Sequence, residues 1–247
     1  KKEGAGGLAY LTFVDGGIKS PIAKFLSETE LAEITAKTGA EDGDIVFFGA
    51  GKPATVNKVL GRMRNEFADF YDLKDKNKVA LCWVVDFPFY EYDEQNRKVD
   101  FGHNPFSLPK GGVAVLEAAK TDADKLAIKA DQYDMVMNGY EICSGAVRNY
   151  NPEVMYKAFS ILGYDEHFVE EKFGAMLEAF KFGAPPHAGC AFGLERIFMV
   201  LTGEDNIREV VAFPKSSAGV DLMMASPSDV EPKQLSELKL VLDIDFD

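Results

Sequence analysis

The sequence DQYDMVMNGYEICSGAVR, residues 131–148, decides the fold of the larger part of this chain. Two runs rich in β-branched and apolar residues lie on either side of the turn residue Gly139, a pattern that predicts two adjoining strands of one antiparallel sheet. The runs are Tyr133–Asn138 and Glu141–Arg148. Because successive side chains of a strand point to opposite faces, the strand register decides whether Asp134 and Glu141 share a face. If they do, one surface of the sheet carries two acids and Arg148. Three charged side chains on one face are unusual for strands that serve structure alone.

A second stretch, GAPPHAGCAFGLER at residues 183–196, predicts a proline-rigid turn, a short strand over Ala188–Phe192 and a helix that opens at Gly193. A junction of strand, glycine and helix lets a ligand approach the backbone, and the first helical amides together with Arg196 would suit a phosphate. A bare glycine junction more often serves packing alone, so the pattern by itself leaves both interpretations open.

Length and composition limit the class of protein. The chain has 247 residues, 47% of them hydrophobic, which suits one large domain or a small domain joined to a larger one. It contains no apolar run of about eighteen residues, and its start lacks the apolar region of a signal peptide, so we expect neither membrane insertion nor secretion. Three cysteines without metal-ligand spacing fit a reducing compartment, and we predict a cytoplasmic protein. The formal charge of −13 argues against broad nucleic-acid binding, so any polyanion contact must be local.

Residues 1–72 are predicted to form a small α/β domain and residues 73–247 a larger, sheet-rich one. In the first, one helix opens with the capping box of Ser27 and Glu30, and a second begins at Pro53. The polar, charged segment LKDKNK at the start of the larger domain marks the boundary. Four basic residues around the second helix are interpreted as a solvated face rather than a nucleic-acid surface: Lys52, Lys58, Arg62 and Arg64.

The larger domain is predicted to contain further strands and two apolar-faced helices. A long strand over Val79–Phe87 precedes a hairpin over Phe89–Phe101, and a loop that begins at His103 follows. A loop histidine beside a sheet is either a ligand contact or a hydrogen-bonded structural residue, and the pattern leaves both open. Asn151 and Pro152 predict the start of a helix, and a strand-like VVAF segment opens the tail.

Several stretches closely resemble the C-terminal catalytic half of bacterial-type aspartyl-tRNA synthetases, which are class II ligases. They are WVVDFPFYEY, HNPFSLPKGG, QYDMVMNGYEICSGAVR, EEKFGAMLEAFKFGAPPHAGCAFGLER and LTGEDNIREVVAFPK. Upstream, SPIAKFLSETEL and GDIVFFGAG resemble part of the GAD insertion domain of that bacterial branch. The resemblance covers essentially the whole chain. It implies an α+β fold, with a class II synthetase-like antiparallel sheet flanked by helices, incomplete here, after a partial GAD domain.

The resemblance also implies a two-step reaction. L-aspartate attacks the α-phosphorus of ATP to give aspartyl-adenylate, and the aspartyl group then passes to the terminal ribose of tRNA(Asp). The HNPFS variant resembles a sub-branch in which several enzymes also charge tRNA(Asn). The implied parent is a cytoplasmic homodimer without a membrane partner.

Two groups of ligand-binding residues follow from matching the family's motifs to this chain. Arg148 matches the arginine that holds the substrate's side-chain carboxylate, and His103 matches a loop position that contacts aspartate. Asp134 and Glu141 match the acidic pair that holds Mg²⁺ near the ATP phosphates, with Glu141 also an ATP contact.

The ATP site is completed, by the same resemblance, at residues 193–196. Arg196 matches the arginine of the third class II motif, expected at the terminal phosphate, and Gly193 permits close approach of the adenosine side. Leu194 and Glu195 complete the ATP-binding motif, with Glu195 standing where the family usually has aspartate. Asn104 replaces a second histidine of many members, and Cys143-Ser144-Gly145-Ala146 replaces a glycine-rich segment. No residue of this chain is assigned a catalytic role.

By this resemblance, we expect the chain to lack the anticodon-binding barrel and the first and second class II motifs. The second motif bears the arginine that grips the α-phosphate, so we expect a fragment of an aminoacyl-tRNA ligase that is inactive by itself. Two alternatives are a non-catalytic truncated paralogue that binds ATP, aspartate or the tRNA acceptor end, and a tRNA-independent amino-acid ligase resembling asparagine synthetase. The GAD-like stretch argues against the second.

Overall fold

Short strands and two helices form the first compact unit of the chain, which ends at Asn77. The computed structural model describes residues 1–75 and 77–242. The strands of this unit are β1 (Ala9–Val14), β2 (Gly17–Lys19) and β3 (Ile45–Phe48), and its helices are α1 (Glu28–Thr38) and α2 (Pro53–Phe70). The strands form an antiparallel sheet in the order β2-β1-β3.

The predicted capping box at the start of α1 is confirmed. The Ser27 hydroxyl accepts the N–H of Glu30 at 3.3 Å, and the Glu30 carboxylate accepts the N–H of Ser27 at 2.8 Å. These bonds satisfy two amides that a helix start otherwise leaves unpaired. Gly39 caps the other end in the left-handed conformation, with φ 66°. The helix predicted from Pro53 is confirmed as α2.

The second compact unit begins at Lys78. Its strands are β4 (Leu81–Val85), β5 (Tyr90–Asp93), β6 (Lys98–Phe101), β7 (Gln132–Met137), β8 (Tyr140–Val147) and β9 (Ala188–Phe192). Its helices are α3 (Gly112–Ala118), α4 (Asp122–Ala127), α5 (Pro152–Ile161), α6 (Glu166–Lys181), α7 (Leu194–Thr202) and α8 (Pro232–Glu237). An antiparallel sheet has the order β4-β7-β8-β9, and β5 and β6 form a separate hairpin. The domain boundary after residue 72 stays a prediction.

Two apolar clusters stabilise the second unit. The first contains Tyr90 and Leu116 with residues of α5, and the Tyr90 hydroxyl donates to the Ala158 carbonyl at 2.8 Å, so the buried phenol keeps a partner. Burial also raises the pKa of Tyr90. The second cluster joins α5 to α6 through Met155, Phe159, Val169 and Leu177. Phe106, from the loop after β6, packs against this second cluster.

The tail differs from its predicted form. The VVAF segment, residues 210–213, is not a strand but a turn and bends that follow a 3-10 turn at Ile207–Glu209. Phe213 has φ 58°, which is incompatible with extended backbone. The loop that is predicted to begin at His103 ends where α3 starts at Gly112.

The architecture is the mixed α+β class expected from the sequence, with antiparallel sheets flanked by helices. Among the described residues, none of the helices combines the length and the apolar composition needed to cross a membrane.

Candidate functional site

A β-bulge decides which side chains share one face of the four-stranded sheet. The pairs on either side of it are Met135 with Cys143 and Val136 with Glu141. Ile142 is therefore an extra residue on β8. Because Asp134 and Val136 lie two residues apart on β7, Asp134 and Glu141 are on the same face. We call this the carboxylate face, and its central residues are Asp134, Val136, Glu141, Ser144 and Ala146.

The bulge also brings Arg148 to the carboxylate face. Glu141 and Arg148 are seven positions apart, an odd spacing that would place them on opposite faces of a regular strand. With the bulge, Asp134 pairs with Ser144, and Arg148 follows four positions later, an even spacing. Arg148 continues the ladder just beyond β8, since its N–H donates to the His187 carbonyl at 2.9 Å. At about 3.3 Å per residue, Arg148 lies roughly 13 Å along the strand from Ser144.

The two acids of this face suit a hard cation. Asp134 Oδ1 is buried and has no hydrogen-bond partner among the described residues, an arrangement that is costly unless a ligand satisfies it. Within residues 1–75 and 77–242, no group of three or more His, Cys, Asp or Glu residues could hold a metal ion. Mg²⁺ is commonly held by one or two carboxylates together with substrate phosphates. Asp134 and Glu141 therefore fit a magnesium ion that arrives with a nucleotide, rather than a cage made of protein ligands alone.

The start of α7 meets the carboxylate face. The Gly193 N–H donates to the Ile142 carbonyl at 2.9 Å, which ties the helix start to the bulge. Arg196 Nη1 donates to the Glu141 carbonyl at 2.7 Å and lies 3.3 Å from Glu141 Oε1. Both side chains are about half exposed, at 46% and 48%, so this ion pair contributes little to stability and can open for a ligand. The structure thus brings Arg196 and Glu141 together.

Leu194 and Glu195 occupy the first turn of α7, and both are exposed. Backbone N–H groups at a helix start have no partner within the helix, and the helix dipole favours an anion there. Glu195 places a negative charge in this turn, so an incoming phosphate depends on Arg196 for its compensating charge.

Arg148 lines a cavity of about 320 Å³ at the far end of the carboxylate face. The other lining residues are Phe106, Asn149, Met176, Phe180, His187, Ala188 and Gly189. His187 Nδ1 donates to the Pro185 carbonyl at 2.9 Å, which orients the ring. Asn149 is 2% exposed, and its Oδ1 has no partner among the described residues. A guanidinium in a small cavity with apolar walls suits a carboxylate ligand.

The structure does not gather every predicted residue at this cavity. His103 is exposed in the loop after β6 and is not among the residues that line the cavity. Sequence reasoning, in turn, missed Asn149 and His187. The Pro-Pro-His turn is a local signal for His187, whereas the burial of Asn149 comes from tertiary contacts with Phe106 and Met155 that leave no local pattern.

The opposite side of the sheet, which we call the cysteine face, contains Tyr133, Met135, Cys143, Gly145 and Cys190. Burial raises the pKa of the Cys143 thiol to about 11, and contact with Cys190 adds to the rise. Gly145 is required by close packing, because a Cβ at this position would lie 2.6 Å from Tyr133 Cε2 and 2.7 Å from Cys190 Cβ, and would also meet the Gly189 carbonyl. The close packing at Gly145 is therefore on this side of the sheet, and the acids and Arg148 are on the carboxylate face.

Comparison with known proteins gives consistent matches. The family described as tRNA synthetases class II (D, K and N) matches residues 11–217. The aspartate–tRNA(Asp/Asn) ligase of Pelodictyon phaeoclathratiforme is 52% identical over 244 residues, which are 99% of this chain and 40% of that protein. The ligase of the same name from Rickettsia bellii is 50% identical over 241 residues, 97% of this chain and 40% of that protein.

Among solved structures, the aspartyl tRNA synthetase from Entamoeba histolytica is 24% identical, with a TM-score of 0.42, over 79% of this chain and 32% of that one. The chain spans about two fifths of the length of the curated relatives it matches.

Proposed function

Because the chain belongs to the class II tRNA synthetases of the D, K and N type, we propose that it is part of an aspartate–tRNA ligase. Such a protein activates L-aspartate with ATP to aspartyl-adenylate and transfers the aspartyl group to tRNA. The relatives at 50–52% identity are named aspartate–tRNA(Asp/Asn) ligases. Since the chain spans only part of their length, the activity is proposed for the whole protein, in which these residues form one part of the site.

The observation that carries the proposal is the division of the carboxylate face. Its acids are Asp134 and Glu141, and its guanidinium, Arg148, lies roughly 13 Å along the strand from Ser144, the pairing partner of Asp134. An amino acid that reacts with ATP forms an extended ligand, with phosphates at one end and the side chain of the amino acid at the other. A face with a cation-binding end and a carboxylate-binding end is complementary to that ligand.

At the ATP end, we assign Asp134 and Glu141 to Mg²⁺ and Arg196 to the terminal phosphate. When bound, Mg²⁺ would offset the negative charge of the triphosphate. Arg196 would exchange the Glu141 carboxylate for phosphate oxygens, which leaves Glu141 free to bind the cation and ATP. Residues 193–195, at the start of α7, receive the adenosine side, where Gly193 has no side chain to block its approach.

At the amino-acid end, we assign Arg148 to the side-chain carboxylate of aspartate. A planar guanidinium holds a carboxylate with two parallel hydrogen bonds, and this geometry selects aspartate over neutral side chains. His103 is assigned to the same substrate from the loop beside the sheet. His103 does not itself line the cavity around Arg148.

The partners proposed for the whole protein are ATP, L-aspartate and tRNA(Asp), with tRNA(Asn) as a second acceptor. The names of the relatives include both tRNAs. We further propose a cytoplasmic homodimer in which residues 1–72 are part of a GAD insertion domain.

The test is aspartate-dependent ATP–pyrophosphate exchange by the complete gene product, with Arg148→Ala as the diagnostic variant. We expect Arg148→Ala to raise the KM for aspartate at least about a hundredfold, because charge-assisted hydrogen bonds are lost, and to leave ATP binding within about twofold. Arg148→Lys should not restore binding, since an ammonium cannot form the two parallel bonds. Arg64→Ala, on an exposed residue of α2, is the control.

Equal loss of aspartate and ATP binding in Arg148→Ala would contradict the division of the face. Binding of both ligands without exchange by the complete gene product would favour a non-catalytic module. Ammonia-dependent asparagine formation would favour the tRNA-independent ligase. The inactivity of residues 1–247 alone stays a prediction, and the same exchange assay measures it.

A further inference from the structure

A turn built on the Asn104 side chain shapes the loop beside Arg148. Asn104 Oδ1 accepts the backbone N–H of Phe106 at 2.9 Å, the N–H of Ser107 at 3.1 Å and the Ser107 hydroxyl at 3.3 Å. Ser107 is completely buried, at 0% exposure, so water cannot replace the partner of its polar groups. A single side-chain oxygen therefore satisfies three donors of this loop.

This loop pairs directly with the backbone around Arg148. Ser107 is the bridge partner of Arg148. The flanking bonds run from the Asn149 N–H to the Phe106 carbonyl at 2.7 Å and from the Leu108 N–H to the Val147 carbonyl at 2.8 Å. On the other edge, the Arg148 N–H donates to the His187 carbonyl. The backbone around Arg148 is thus held from two sides. On one side, it is held by the segment that the Asn104 turn positions.

We propose that Asn104 is a positioning residue for aspartate binding, acting through the loop that it folds and not by contact with the substrate. The inference rests on the proposed role of Arg148 at the aspartate carboxylate. Bidentate recognition needs the guanidinium to be placed accurately, and the Phe106 ring, which the same turn places, lines the cavity around Arg148. His103, which is assigned to the same substrate, directly precedes Asn104 in the sequence.

Kinetics of the complete gene product test the inference. We expect Asn104→Ala to raise the KM for aspartate about tenfold, because three donors lose their acceptor and the loop shifts. The KM for ATP and kcat should stay within about twofold, since the residues at the ATP end are remote from this turn. Asn104→Asp keeps oxygen acceptors at the same position and should therefore keep the loop folded, while its added negative charge by itself raises the KM for aspartate.

The matched control is Asn206→Ala. Asn206 also accepts a backbone N–H, from Arg208 at 3.1 Å, but in a turn after α7. Its variant should leave the KM for aspartate unchanged. Hydrogen exchange gives a second measurement, in which the amides of Phe106 and Ser107 should lose protection in Asn104→Ala and keep it in Asn104→Asp.

The outcomes separate this inference from the proposed function. Absence of aspartate-dependent exchange in the unmodified protein overturns the proposed function, and the inference falls with it. Exchange in the unmodified protein together with an unchanged KM for aspartate in Asn104→Ala overturns only the inference. Equal loss of protection at Phe106 and Ser107 in the alanine and aspartate variants also overturns it, because the loop would then not depend on the acceptor oxygen at position 104.

Discussion

At the scale of single residues, the cysteine face offers a measurable contrast in thiol chemistry. Cys143 is 2% exposed, and burial and its contact with Cys190 raise its pKa to about 11, whereas Cys82 on the edge strand is exposed. Only the thiolate is nucleophilic, and a raised pKa lowers its fraction at neutral pH. We therefore expect iodoacetamide to modify Cys82 at pH 8 at least about ten times faster than Cys143, with the rate at Cys143 rising about tenfold per pH unit toward its pKa. Mass spectrometry of the alkylated peptides measures both rates, and equal rates at pH 8 would contradict the burial of Cys143.

At the scale of elements, β8 and β9 pack closely because Gly145 has no side chain. A Cβ there would collide with the Gly189 carbonyl and with Tyr133 and Cys190, so Gly145→Ala must push the strands apart. We expect it to lower the free energy of unfolding by about 1–3 kcal/mol, as measured by urea denaturation followed by circular dichroism. Gly189→Ala on β9 is the matched control, because its Cβ would meet nothing within 4 Å. A smaller effect at position 145 than at position 189 would contradict the packing.

Sequence patterns predict the strands on either side of the Gly139 turn well, because β-branched residues and a turn glycine are local signals. The start of α1 is equally predictable from its capping box. The bulge at Ile142 is not predictable from the sequence, because no glycine or proline marks it and its position follows from pairing with β7 and β9. As a result, the sequence identifies the acids and Arg148 but leaves their shared face undetermined. The tail is mispredicted because an apolar VVAF run has strand propensity, but Phe213 adopts a left-handed conformation.

At the scale of the whole molecule, the edge strand β4 leaves apolar side chains in contact with solvent. Trp83, the only tryptophan in the sequence, is 54% exposed and packs edge-on against Tyr133 with ring centroids 5.8 Å apart. Leu81 and Val85 are also more than half exposed. We expect acrylamide to quench the fluorescence of Trp83 strongly in residues 1–247 alone, and less in the complete gene product, since exposed apolar edge strands are normally covered. Equal quenching in the two would mean that β4 remains an open edge, and a protected Trp83 in residues 1–247 would indicate self-association.

The bulge at Ile142 decides which changes in the length of β8 keep Glu141 and Arg148 on one face. Removing Ile142 would make the pairs Val136 with Glu141 and Met135 with Cys143 consecutive in an ordinary ladder. Glu141 and Arg148 would then be separated by an even number of positions and would still share a face. An added residue would need a second bulge, or it would turn one end of the ligand-binding surface toward the wrong side of the sheet. The face that the acid and the guanidinium share would therefore survive a one-residue deletion at Ile142 but not a one-residue insertion, and the deletion would still remove a buried side chain and the carbonyl that holds the start of α7.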